Sequence, residues 1–189
     1  MEPDSVVAAR ILTPVTGPDV AVPDSDRLIH LQFRRFAGCP VCNLHLRSIV
    51  RRHQEIEAAG VREVVVFHSP AEELREHTDE LPFAVVADPG KRLYREFGVE
   101  QAPRALLSPR AWGPIARALL TGVWAVVRGR EKLPAPSQPG GRLGKPADFL
   151  IGGDGRVIAA KHGEHAYDQW SVDELLALAA RAPRPDPAP

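Results

Sequence analysis

Residues 28–60 read LIHLQFRRFAGCPVCNLHLRSIVRRHQEIEAAG, and the change of period inside this stretch decides the fold. Leu28 to Phe33 is a short, mostly apolar run of strand type. It passes through Arg34-Arg35-Phe36-Ala37-Gly38 into Cys39. From there Cys42, Leu46, Ile49, His53 and Ile56 recur at steps of four and three, which is one face of a helix. Pro40 suits the first helical position and Gly60 the residue just past the end. The motif Cys39-Pro40-Val41-Cys42 therefore sits where a strand hands over to a helix N-terminus.

That position carries a chemistry. The first turn of a helix presents unpaired backbone N–H groups and a partial positive charge, which favour a thiolate over a thiol. Cys39, at the cap and near solvent, is expected to feel this most and to attack as the nucleophile. Cys42, one turn in on the buried face, is expected to resolve the mixed species by closing a Cys39–Cys42 disulfide. Arg34 and Arg35 precede the motif, but side-chain direction alternates along an extended chain, so one of them at most is expected to add field at the sulfurs. Burial of Cys39 deep in apolar packing would argue against this chemistry. A zinc half-site is the competing reading, with His45 and His53 as further ligands. A structural zinc usually takes four protein ligands, and one helix cannot wrap four round one ion. No metal and no organic cofactor is expected.

Outward from the motif, Val61–His68 and Phe83–Ala87 read as buried strands. Between them Ser69-Pro70-Ala71-Glu72 reads as a capping box opening a short helix, and Asp88-Pro89 opens another. Asp148–Ile151 and Val157–Lys161 flank the turn Gly152-Gly153-Asp154-Gly155 and read as a hairpin. Ser171-Val172-Asp173-Glu174 is a second capping box, opening a last helix to about Arg181. The order implies an α/β thioredoxin-like fold with a central mixed sheet flanked by helices. A strand or hairpin extension occupies residues 1–27, the main domain residues 28–181, and a disordered tail residues 182–189. An insertion at 109–146 precedes the last hairpin; it carries Trp112 and Trp124, and a helix from Ile115 to Arg128 within it adds Ile115, Leu119 and Val123 to an apolar stripe.

The chain has 189 residues, 24 basic and 24 acidic, so no charge excess points to nucleic acid. Its most apolar window, Ala118–Val127, is half the length a membrane span needs, about 20 residues. Met1-Glu2-Pro3-Asp4 opens no signal-type segment, so the expected location is the cytoplasm. In a reducing compartment a close cysteine pair reads as catalytic or metal-binding more often than as a structural disulfide.

The segment LQFRRFAGCPVCNLHLRSI resembles the active-site region of peroxiredoxin-like proteins of the AhpC/TSA superfamily, in the subgroup with a thioredoxin-style CxxC. FAVVADPGKRLYREFGV and PADFLIGGDGRVIAAKHG extend the likeness over most of residues 28–180. The resemblance implies a thioredoxin fold and an oxidoreductase or antioxidant role, with Cys39 at the peroxidatic position. A peroxide or disulfide is the expected substrate and a protein or small-molecule dithiol the expected reductant, and the apolar stripe of the insertion makes a homodimer one assembly to consider. Phe36 stands where peroxiredoxins carry Thr or Ser, and Gln32 where they carry Pro. Phe33 and Gly38 stand where thioredoxins carry a buried Asp and a Trp. By the same likeness Pro146 is the candidate cis-proline beside the motif, and Pro146, Gly38 and Pro40 are the candidate substrate-contacting residues.

Other polar residues have blander readings. His45 is expected on the helix surface, with a proton shuttle to Cys42 as the sharper reading, and His30 as a packed strand residue. His162 and His165 are loop histidines that could pair with Cys39. Arg104 and Arg142 are surface arginines unless one holds a peroxide. A non-catalytic redox-sensing or binding module on the same fold is the alternative function.

Overall fold

The computed structural model describes residues 1–78, 81–99 and 144–183. Its centre is a five-stranded mixed sheet in the order β5-β4-β3-β6-β7, built from β3 (Leu28–Phe33), β4 (Val61–Phe67), β5 (Ala84–Ala87), β6 (Ala147–Ile151) and β7 (Val157–His162). β3, β4 and β5 run parallel, while β6 and β7 add antiparallel partners. The two parallel crossovers and the closing hairpin are those expected from the order of elements. β1 (Arg10–Leu12) and β2 (Val20–Val22) form a separate antiparallel pair ahead of the sheet.

All six residues of β3 are buried, because both faces of the sheet are covered. Ile29, Leu31 and Phe33 join Val64, Val66, Phe149 and Ile151 on one face, beneath α4 (Arg92–Glu96) and the N-terminal pair. The opposite face packs against α1 (Pro40–Arg51), α2 (His53–Ala58), α3 (Ala71–Thr78) and α5 (Val172–Arg181), through Ile49, Ile56, Leu74 and Leu175. Alternation along β3 also sends His30, Gln32 and Arg34 toward this second face, so a polar stripe lies under α1.

The single long helix expected after Cys39 is two helices. The chain leaves helical geometry at Arg52 (φ −117°, ψ 19°), whose guanidinium reaches Asp173 on α5 and Glu55 on α2. The capping box at Ser171 forms as expected, with Ser171 Oγ accepting from Glu174 N–H and Glu174 accepting from Ser171 N–H. The other serine read as a cap, Ser69, accepts a hydrogen bond from Ala37 N–H at 2.9 Å and so anchors the loop leading to Cys39. Asp88 does open α4, accepting from the N–H groups of Arg92, Leu93 and Tyr94. The helix expected at Ile115–Arg128, most of the 109–146 insertion, Arg104, Arg142 and residues 184–189 lie outside the described residues.

Candidate functional site

Cys39 is the N-cap of α1, with extended backbone (φ −62°, ψ 114°), and Pro40 occupies the first turn. Gly38 makes the sharp entry possible: its φ is +69°, and a Cβ there would lie 2.9 Å from Cε1 of His77 on α3. The approach is pinned from both sides. Arg34 N–H bonds to Val66 O and His68 N–H to Arg35 O, while the buried Tyr94 hydroxyl is shared between the carbonyls of Arg34 and Val66. Asp88 holds Tyr94 in place through the N-terminus of α4. This scaffold fixes the directions of the two arginines.

Those directions diverge. Arg34 turns under α1 into the polar stripe, where Nη2 donates to Asp148 Oδ1 at 2.7 Å. Arg35 turns to the sulfurs: its Nη2 donates to Cys39 Sγ at 3.0 Å, and its charge also acts on Cys42. Both cysteines are free thiols, and each shifts the other's ionisation. Arg35 also lies over the ring of Phe36, 5.6 Å from its centroid.

Two expectations about the pair are corrected. Cys39 is not near solvent: it is 0% exposed and Cys42 4%, among Phe36, Ala37, Val41 and Val65. Within Gly38–Cys42 only Pro40 is partly exposed. The packing is not purely apolar, since a guanidinium reaches both sulfurs. Nor does the helix cap ionise the outer sulfur first. Burial pushes the Cys39 thiol well up, reinforced by its hydrogen bond to Cys42 and by that sulfur's charge. The hydrogen bond from Cys39, helped by the charge of Arg35, pulls Cys42 down to about 6. Two sulfurs in contact titrate as a pair, so one proton leaves easily and the second is held.

The remaining residues sort clearly. Pro146 directly precedes Ala147, the partner of Phe33, and its carbonyl accepts from Gly163 N–H at 2.9 Å. The cis peptide bond found among the described residues is Val22–Pro23, so Lys145–Pro146 is not the expected cis bond. His162 Nε2 lies 3.0 Å from Met1 O, and His165 Nδ1 accepts from Tyr167 N–H, so neither pairs with Cys39. Among the described residues no three His, Cys, Asp or Glu side chains are grouped to hold a metal ion. His30 is packed as expected. His45, expected on the helix surface, is 3% exposed, because α1 turns it toward the sheet one turn after Cys42.

The stripe beneath α1 is what sequence reasoning missed. With Phe33 and Gly38 at the positions where thioredoxins carry a buried Asp and a Trp, the sequence around the motif offers no buried proton-handling group. Asp148, from a strand over a hundred residues away, supplies a buried carboxylate in ion-pair contact with Arg34. The residue before Phe149 in a fully apolar run was the available signal, since an aspartate there has to be paired.

The comparisons agree with this architecture. Residues 48–165 match the family model described as AhpC/TSA antioxidant enzyme, a stretch covering more than half of the chain. The chain belongs to the AhpC/TSA antioxidant enzyme family. The matched stretch begins at Ser48, so both cysteines lie just ahead of it. No curated protein matches the chain. Among solved structures, the AhpC/TSA chain is similar to peroxidoxin BcpB from Mycobacterium tuberculosis, at 18% identity and TM-score 0.66, covering 95% of this chain and 97% of that one. A putative thiol:disulfide interchange protein DsbE from Chlorobium tepidum is similar at 17% identity and TM-score 0.58, covering 95% and 98%. A cysteine-to-serine mutant of the peroxiredoxin 6 of Arenicola marina is similar at 13% identity and TM-score 0.66, covering 95% and 72%. These likenesses establish the thioredoxin fold. Among the described residues, no helix is long and apolar enough to cross a membrane.

Proposed function

We propose that this AhpC/TSA protein is a dithiol oxidoreductase in which Cys39 is the nucleophile and Cys42 the resolving cysteine. The observation that supports it is the 3.0 Å hydrogen bond from Arg35 to Cys39 at a helix N-terminus whose first turn also carries Cys42. The pair holds one proton, and the guanidinium stabilises the charge left when the other has gone. When the proton passes from Cys39 to Cys42, the outer sulfur becomes the thiolate.

With a disulfide substrate, Cys39 Sγ attacks one substrate sulfur, the substrate S–S bond breaks and one thiolate leaves. Cys42 Sγ then attacks Cys39 Sγ, the mixed disulfide breaks, and the second thiolate leaves. Two electrons have moved from the pair to the substrate, and an external dithiol returns them. With a peroxide the O–O bond breaks instead, Cys39 passes through a sulfenic acid, and Cys42 displaces hydroxide from it. The hydroxyl that the family resemblance would place at position 36 is a phenyl ring here, which favours the disulfide over the peroxide. A cytoplasmic location, with dithiol donors at hand, suits this cycle.

The burial of Cys39 favours a second reading, a redox-responsive module that is oxidised once and signals through a changed surface. Turnover separates the two. Reduced protein is given a protein disulfide or hydrogen peroxide with dithiothreitol as reductant. Repeated turnovers that vanish in Cys39→Ser support the enzyme, whereas one oxidation per chain and no more supports the module. A sulfenic acid trapped in Cys42→Ser and not in Cys39→Ser assigns the roles, and the opposite pattern reverses them.

A further inference from the structure

Arg35 is built to stay beside the sulfurs. Its Nη2 donates to Cys39 Sγ at 3.0 Å, and the residue is 5% exposed. The guanidinium lies over the Phe36 ring, 5.6 Å from its centroid. Gly144, in the loop before β6, lies against the aliphatic stem, where a built Cβ would be 3.7 Å from Arg35 Cγ. The backbone is tied to β4 on both sides, through Arg34 N–H to Val66 O and His68 N–H to Arg35 O. Three other charged or titratable groups face the pair or its entry. Arg34 is ion-paired with Asp148 of β6, the Tyr94 phenol of α4 is kept protonated by burial, and the His77 ring of α3 lies over Gly38.

A fixed, buried cation treats the two redox states unequally. In the reduced pair one sulfur carries a negative charge, and the guanidinium stabilises it through a charge-assisted hydrogen bond. In the disulfide neither sulfur is charged, and the cation loses that acceptor without gaining water. Removing one side of a buried charge pair is unfavourable, so the oxidised state is the one disfavoured. We infer that the Cys39–Cys42 disulfide is a strong oxidant, so that the reduced pair acts on labile disulfides, strained or formed with a small thiol, and not on the stable disulfides that brace folded proteins. Labile disulfides have high reduction potentials and structural ones low, and electrons pass from the lower potential to the higher. The narrow entry agrees, since only Pro40 of Gly38–Cys42 is partly exposed and a small thiol needs the least room. The inference rests on the dithiol reading.

Above about pH 6 the reduced pair is one thiolate and one thiol. Cys39 Sγ bonds to one sulfur of the substrate, the substrate S–S bond breaks and the first thiolate leaves. Cys42 Sγ then bonds to Cys39 Sγ, the mixed disulfide breaks and the second thiolate leaves. Two electrons have passed to the substrate, and the single thiol proton ends on one of the two leaving sulfurs. Two small monothiols, or one dithiol, reverse the exchange; they are oxidised to a disulfide, the pair regains its thiolate and thiol, and one proton goes to water.

The test equilibrates the full chain with mixtures of reduced and oxidised glutathione and counts oxidised chains by the loss of two hydrogens in mass. At pH 7, Arg35→Gln should be half oxidised at a ratio [GSH]²/[GSSG] about fivefold or more above that of wild type, about 20 mV or more for a two-electron couple. At pH 5, where both sulfurs are protonated, the two proteins should agree, which a general loss of structure would not produce. A pH 7 ratio within twofold of wild type, or an equal shift at both pH values, overturns the inference. Should the variant not fold, wild type decides. Between pH 6 and pH 8 its half-oxidation ratio should fall about tenfold per pH unit, because oxidation then takes up one proton, and a ratio independent of pH overturns the inference. In turnover with dithiothreitol, a peptide in mixed disulfide with glutathione should be reduced at least tenfold faster than a protein braced by structural disulfides, and equal rates overturn the substrate class. Failure of the dithiol reading looks different, because no glutathione ratio then removes two hydrogens from the chain.

Discussion

Arg35 Nη2 donates to Cys39 Sγ at 3.0 Å, across only four residues of sequence, and the charge of the same guanidinium acts on the Cys42 sulfur. The cation is held by a backbone bonded to β4 on both sides, so it meets the pair without reorganisation.

Removing that cation should raise the first ionisation of the pair. Arg35→Ala forfeits charge-assisted hydrogen bonds worth roughly 1.5–3 kcal/mol, about tenfold or more in thiolate population. Thiolate absorbance followed against pH, and alkylation rate at neutral pH, report it. An unchanged midpoint would mean that the helix terminus alone ionises the sulfurs.

The pair also makes stability depend on pH. Cys42 is held down to about 6 in the fold, against about 8.5 in an unfolded chain. A lowered folded value stabilises above the unfolded value, and that stabilisation is lost as pH falls through about 6. Above about 8.5 the unfolded chain ionises both thiols while Cys39 resists, so the gain shrinks again. Urea midpoints of the reduced protein should rise from about pH 6 to about pH 8.5 relative to Cys42→Ser, then converge. A flat difference contradicts the assignment.

His30 has the opposite sign. Burial alone would lower it, but Glu63 and Asp148 raise it to about 9. Its stabilisation is complete below about 6.5, the unfolded value, and is lost as pH rises through about 9. The ring resonances of His30 should stay those of imidazolium through neutral pH, and a titration midpoint near the ordinary value sinks the prediction. Asp148→Ala strands His30 and Arg34 together and should cost about 3–5 kcal/mol in denaturant unfolding.

Gly38→Ala tests the entry to the motif. Its positive φ and the His77 ring 2.9 Å from a built Cβ predict a loss of about 1–3 kcal/mol. Equal stability would show that α3 can shift away.

Most strands and the N-terminal ends of α1 and α5 were legible in the sequence, because period, proline, capping residues and a glycine turn are local signals. Leu28–Phe33, the Cys39 cap, Pro40 in the first turn and Ser171 all stand where those signals put them. The break at Arg52 was not legible, since that residue answers to Asp173 on a distant helix.

The order of residues by itself determined that two cysteines share the first turn of a helix following a strand, since spacing and capping act within a few residues. It also determined the alternation that puts His30, Gln32 and Arg34 on one side of β3. Only the tertiary structure decided what those side chains meet: Arg35 on the sulfurs, Asp148 against Arg34, His45 beneath α1, and Cys39 shut from water. Ionisation in a protein follows burial and nearby charge, and both are set by strands and helices brought together from far apart in the chain.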